Sequence, residues 1–136
     1  MIVSTRGRYA LRTLIDMAQH DGEGYITLKD VALRQQISEK YLESIISLLS
    51  KNGMVEGLRG KGGGYRLTRR PEEYTVGEIV RITDGELVPV SCLESGDKCE
   101  RKGECPTRPM WENLGKMIGT YLDGIKLSDL VKGGAE

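Results

Sequence analysis

The chain has 136 residues, 38% of them hydrophobic, which allows one domain with a real core and an appendage. No run approaches the roughly 18 apolar residues of a membrane span, and the N-terminal MIVSTRGRYALR lacks the apolar stretch and cleavage site of a secretory signal. A cytoplasmic protein with no membrane partner is expected. The formal net charge of zero hides an asymmetry: residues 1–70 carry twelve Lys/Arg against seven Asp/Glu, a surplus of five positive charges, and residues 71–136 carry eight against thirteen, a deficit of five. A basic half suits a polyanionic partner.

Tyr9, Leu11, Leu14, Ile15 and Ala18 recur at helical spacing and predict a helix over Thr5 to Gln19. Ser4 or Thr5 can cap it, and DGEG at 21–24 stops it. Thr27 reads as the N-cap of a short helix, LKDVALRQ, with Leu28, Val31 and Ala32 inward. Gln36-Ile37 is a tight connection, and Ser38 opens a third helix, SEKYLESIISLLSKNG, with Leu42, Ile45, Ile46 and Leu49 on its core side. Short helix, tight turn and longer helix make a helix-turn-helix.

Met54–Leu58 and Tyr65–Thr68 flank the run GLRGKGGGYRL and predict a hairpin. A hairpin directly after a helix-turn-helix is a winged helix, so the fold class is mainly α with a small β-hairpin. Thr75 then caps a short helix with Val76, Ile79, Val80 and Ile82 inward, and after Pro109 a long amphipathic helix runs from about Met110 to Asp123, striped by Leu114, Met117, Ile118, Tyr121 and Leu122. KLSDLV is a last helical turn.

The glycine run is neither a Walker loop nor a dinucleotide fingerprint. Lys61 precedes the glycines with no Ser/Thr after it, and Tyr65 stands where the third fingerprint glycine belongs. It fits the tip of a wing, where Gly60 and its neighbours allow close approach to a sugar-phosphate wall, and Arg59 and Lys61 supply charge. The third helix is the candidate major-groove reader through Ser38, Lys40, Tyr41 and Glu43. Glu43 is repelled by phosphate unless it meets a cytosine amino group; otherwise it is a surface acid paired with a neighbour such as Lys40. Ser4, Thr5 and Arg6 at the first helix and Thr27 at the second are further candidate DNA contacts.

Cys92, Cys99 and Cys105, spaced C-x6-C-x5-C, are the only cysteines. Without a C-x-x-C pair or a nearby histidine (His20 is the only one) they fit zinc poorly. An iron–sulfur cluster, a thiol redox switch and zinc remain open in that order. No His–Cys or His–carboxylate motif points to catalysis, so the protein is not expected to be an enzyme.

STRGRYALR, SEKYLESIISLL, GMVEGLRGKGGGYRL, TVGEIVRITDG and a three-cysteine loop before a Trp-bearing helix together resemble the Rrf-two superfamily of bacterial winged-helix regulators, over essentially the whole chain. They are most similar to its iron–sulfur regulator (IscR-like) and nitric-oxide-sensor (NsrR-like) branches. The resemblance implies a homodimeric transcription regulator, a repressor by analogy, on a pseudo-palindromic operator in double-stranded DNA. Residues 1–85 would be the winged helix-turn-helix, 86–109 the cluster loop, and 110–136 the dimerisation helix and tail. Cys92, Cys99 and Cys105 would hold one cluster per subunit, [2Fe–2S] ahead of [4Fe–4S]. The sequence departs from the pattern at two places: Arg108 stands where the IscR-like branch has a ligand histidine, and Arg8 where nitric-oxide sensors use an aspartate. The first cysteine spacer is also one residue longer. The alternative within the same fold is a cysteine-metabolism repressor or thiol-switch regulator without a cluster.

Overall fold

The computed structural model describes residues 3–93 and 104–132. Three helices come first: α1 (Thr5–Gln19), α2 (Leu28–Gln35) and α3 (Glu39–Lys51). Each begins at a hydroxyl. Ser4 Oγ accepts from the Gly7 N–H, Thr27 Oγ1 from Asp30 and Ser38 Oγ from Tyr41, which satisfies amide donors that a helix start leaves open. The turn between α2 and α3 is made by Gln36 in the left-handed region (φ 56°), and buried Ile37 follows it into the core.

The wing is an antiparallel pair, β1 (Val55–Leu58) and β2 (Gly64–Leu67), in the register Val55↔Leu67 to Leu58↔Gly64. A further rung ties it to the helices. Ile26, just before α2, exchanges two 2.8 Å backbone hydrogen bonds with Tyr65. A 3₁₀ turn at Pro71–Glu73 leads to α4 (Val76–Asp84), a second 3₁₀ turn lies at Ser91–Leu93, and α5 (Arg108–Asp123) and α6 (Leu127–Val131) close the chain.

The main core joins Ala10, Leu14 and Met17 of α1, Val31 of α2, Leu42, Ile45, Ile46 and Leu49 of α3, Met54, Ile79, and Leu127 from α6. A smaller cluster of Val76, Val80 and Leu87 takes the inner face of α5 through Ile118 and Leu122. Each fully buried aliphatic side chain contributes about 1.5–3 kcal/mol. On α1, Tyr9, Leu11 and Ile15 are only half-buried, whereas Ala10, Thr13, Asp16 and Met17 are fully enclosed. The reason is that α1 packs against α2, α3, α4 and α6, so its buried surface is wider than one amphipathic stripe. α5 begins at Arg108 rather than Met110, because Pro109 sits in the first turn, where its missing N–H has no helical partner to lose.

Tyr74 is fully buried. Its hydroxyl donates to the Met54 carbonyl (2.6 Å) and lies within reach of the Thr68 and Arg69 N–H groups (3.1 and 3.2 Å). Tyr74→Phe removes a partner from each of these groups, and an expected loss of about 1–3 kcal/mol is measurable by urea denaturation; an unchanged midpoint would contradict this role.

Candidate nucleic-acid interface and cysteine turn

The reading head is locked by a buried acid that the periodicity gave no reason to single out. Asp16 accepts from Arg34 Nε (2.9 Å) and Nη2 (2.7 Å) and from Gln35 Nε2 (3.0 Å). Burial pushes its carboxyl up, but those hydrogen bonds and the Arg34 charge together hold it below its usual range. The contribution is therefore present above the ordinary carboxylate pKa and is lost as pH falls through the depressed one. On the same side, Arg12 reaches the Gln35 side chain (3.2 Å) and its backbone carbonyl, and stacks over Tyr9, 5.0 Å from the ring centroid. Tyr9 in turn meets Tyr41 edge-on at 5.8 Å. Tyr41 is thus half-buried between α1 and α3, not an exposed reader as the helical spacing suggests, because the α1 tyrosine occupies its ring edge.

Lys40 and Glu43 stand exposed on the first turns of α3. No ion pair reaches Glu43 among the described residues, so the expected Lys40 partner is not there. Thr27 and Ser38 are exposed at the N-caps of α2 and α3. Arg59, Gly60 and Lys61 are exposed at the wing tip, where Gly60 has φ 97°. The glycines behind the tip serve the protein itself. A Cβ on Gly63 would lie 2.1 Å from the Leu58 carbonyl oxygen, and one on Gly64 would lie 2.4 Å from that of Ile26. They let the wing fold tightly and seat against the segment before α2.

At the start of α1, Ser4 and Thr5 are already engaged. Ser4 N–H donates to Asp84 Oδ2 (2.8 Å), and its hydroxyl donates to Asp84 Oδ1. Thr5 Oγ1 accepts from Arg8 (3.2 Å). Arg6 is half-buried, and its Nε has no hydrogen-bond partner among the described residues.

Cys92 lies in the second 3₁₀ turn and Cys105 three residues before α5; both are half-buried. Cys99 lies outside the described residues. Arg108 ties the two ends together. Its N–H donates to the Cys105 carbonyl (3.2 Å), its Nη1 donates to the Cys92 carbonyl (3.3 Å), and its Nε pairs with Glu112 (2.8 Å). Cys105 Sγ lies 3.1 Å from Thr107 Oγ1.

Residues 3–133 match the Rrf2 family, described as iron-dependent transcriptional regulators. This chain belongs to the Rrf2 family. The transcriptional regulator IscR of Aliivibrio salmonicida is 38% identical over 131 residues, which are 96% of this chain and 77% of that protein. Among solved structures, T. potens IscR superposes with a TM-score of 0.78 at 38% identity, covering all of this chain and 93% of that one. CymR, the global cysteine regulator of B. subtilis, gives 0.80 at 34% identity over 99% of both chains. The protein is therefore a winged-helix transcriptional regulator of the Rrf2 family and not an enzyme, and DNA is its partner. No helix among the described residues is long and apolar enough to cross a membrane.

Three residues of this Rrf2 site carry weight that spacing did not reveal: Asp16, Asp84 and Arg108. Asp16 stands next to Met17 and two residues before Ala18 on a helix enclosed from several sides, a burial that a single apolar stripe does not show. For Asp84 and Arg108 the partners lie 80 and 16 residues away, and only the fold brings them together.

Proposed function

We propose that this Rrf2-family protein is a homodimeric regulator that reads iron–sulfur or redox status through a cluster held by Cys92, Cys99 and Cys105. Residues 1–85 form the DNA-reading head, 86–109 the cysteine segment and 110–136 the dimerisation helix and tail, acting in the cytoplasm on a pseudo-palindromic operator. The observation that carries the reading is the Arg108 bridge, which supports a common site for Cys92 and Cys105 at the junction of the 85–93 segment and α5.

The donor set fits such a group. Both described cysteines are half-buried, Arg108 joins their backbone carbonyls, and Cys105 stands ahead of a helix N-terminus, where backbone N–H groups favour an anionic, thiolate-ligated centre. When bound, a cluster supplies an oxidation-sensitive centre, [2Fe–2S] in preference to [4Fe–4S]. Cys92, Cys99 and Cys105 would hold it. Arg108 would not, because a guanidinium cannot ligate iron and this one is committed to the Cys92 carbonyl and Glu112. A fourth ligand then comes from another group.

Dimerisation is supported by α5. Met110, Leu114, Met117 and Tyr121 form one continuous stripe at helical spacing, 53%, 37%, 68% and 65% exposed, while Ile118 and Leu122 face inward. An apolar stripe of this kind on a monomer marks an interface. At the head, Arg59 and Lys61 hold no ion pair among the described residues, so their charge is available to phosphate. A second reading, a thiol switch without a cluster, draws on the likeness to CymR.

Three measurements test the reading. Alanine at Cys92, Cys99 and Cys105 is expected to abolish visible absorbance, iron and acid-labile sulfide in anaerobically purified protein. Colourless wild-type protein that still changes DNA affinity on oxidation would favour the thiol switch. Met117→Lys with Tyr121→Lys is expected to weaken self-association by more than tenfold in sedimentation equilibrium, and an unshifted dimer would exclude α5 as the interface. Arg59→Ala and Lys61→Ala are each expected to weaken duplex binding and lower the salt slope by about one; a slope unchanged across a salt series would exclude the wing as a phosphate contact.

A further inference from the structure

The carboxylate of Asp84 occupies the N-terminus of α1, one of the places where the reading head is proposed to meet DNA. Both of Ser4's donors go to it, the N–H to Oδ2 and the hydroxyl to Oδ1, while Ser4 Oγ also accepts from the Gly7 N–H at 2.9 Å. The fit is close. A Cβ on Gly7 would fall 3.0 Å from both Asp84 Oδ2 and Thr83 Oγ1, a tight contact that glycine avoids. Asp84 is the last residue of α4, where a carboxylate opposes its own helix dipole. Its favourable field comes from the start of α1, a 15-residue helix. A carboxylate and a backbone phosphate ask the same thing of Ser4, which is two donated hydrogen bonds to anionic oxygens.

We infer that Asp84 is an internal competitor of DNA: its carboxylate holds Ser4 in a latch, and a backbone phosphate binds Ser4 only when the latch opens. The latch also has a route to the cysteine turn. α4 ends at Asp84, Gly85 turns the chain at φ 81°, and residues 85–91 lead directly to Cys92. The latch rests on the proposed DNA-facing role of α1, and it sets a sign that a structural contact would not have. Removing Asp84 strengthens DNA binding.

The test uses the full-length protein and a fluorescent duplex selected on the wild type. Asp84→Asn and Asp84→Ala are each expected to tighten binding by about tenfold, the gain from one charge-assisted hydrogen bond. The gain is expected to shrink when Ser4→Ala is combined with Asp84→Asn, because alanine keeps the backbone N–H and loses the hydroxyl. A gain of undiminished size in the double variant is a bulk charge effect and overturns the latch. Equal or weaker binding by Asp84→Asn, with a thermal midpoint matching the wild type, overturns it too. If Asp84→Ala fails to fold, the isosteric Asn variant and Ser4→Ala, at an exposed cap, still decide the matter. Wild-type protein that binds no duplex at low salt would instead refute the DNA reading itself, before the latch is reached.

Discussion

Tyr74 sits where the wing enters and leaves the helical core, and the angle of the wing to α3 follows from its hydroxyl. Met54 immediately precedes β1, and Thr68 and Arg69 immediately follow β2; all three meet one buried oxygen. The backbone carbonyl of Tyr74 accepts from Leu127 at the start of α6, and Arg69 lies over its ring, 5.1 Å from the centroid. A two-stranded hairpin alone is marginal in water. This one is held at its base by a hydroxyl and along its side by the Ile26–Tyr65 rung. The wing tip can therefore be glycine-rich and charged without losing its position relative to the helix it works beside.

The same economy governs the head. Asp16, Arg34, Gln35 and Arg12 fix the relation of α1 to the α2 end and hence to the start of α3. A buried acid with three donors on it resists removal more strongly than it adds stability, because an arginine left without its partner loses a charge-assisted bond that packing cannot replace. The Tyr9–Tyr41 contact and the Arg12 stack extend this join to the first turn of α3. α1, the end of α2 and the first turn of α3 are thus joined by side-chain contacts as well as by the shared core.

Much of this was legible in the sequence, for local reasons. The helix-turn-helix, the hairpin and the α4 face follow from 3.6-residue periodicity, hydroxyl caps and glycine placement, all of which act within a few residues. The glycine run was legible as a tip, but the partners of Gly63 and Gly64 were not, because they are the chain's own carbonyls at Leu58 and Ile26. Tyr41 read as exposed since its helix face is polar. The burial comes from Tyr9 on another helix, which no spacing within α3 can show. The stripe on α5 was read as one surface and is two, with Ile118 and Leu122 packing inward against Val80 and Leu87 while Met117 and Tyr121 face out. Asp84 and Arg108 depend on contacts across the fold, 80 and 16 residues away, which local spacing does not show.

The last turn of α4 combines apolar packing with polar contacts to two other helices. α4 is packed through Ile79 and Val80, yet its outward contacts are polar: Arg81 grips Asp123 of α5 with two hydrogen bonds at 2.6 and 2.9 Å, and Asp84 grips Ser4 of α1. The Arg81 pair is more than two-fifths exposed on both sides, and exposed pairs of this kind contribute about 0–1 kcal/mol. The core, by contrast, is stabilised by several times that per buried side chain. An energy of about 1–3 kcal/mol, the usual scale of coupling between sites, cannot repack Leu14 or Ile45, but it is enough to exchange one polar partner for another in the last turn of α4. The last turn of α4 thus adds solvent-weakened polar contacts with α1 and α5 to the apolar packing of Val76, Ile79 and Val80.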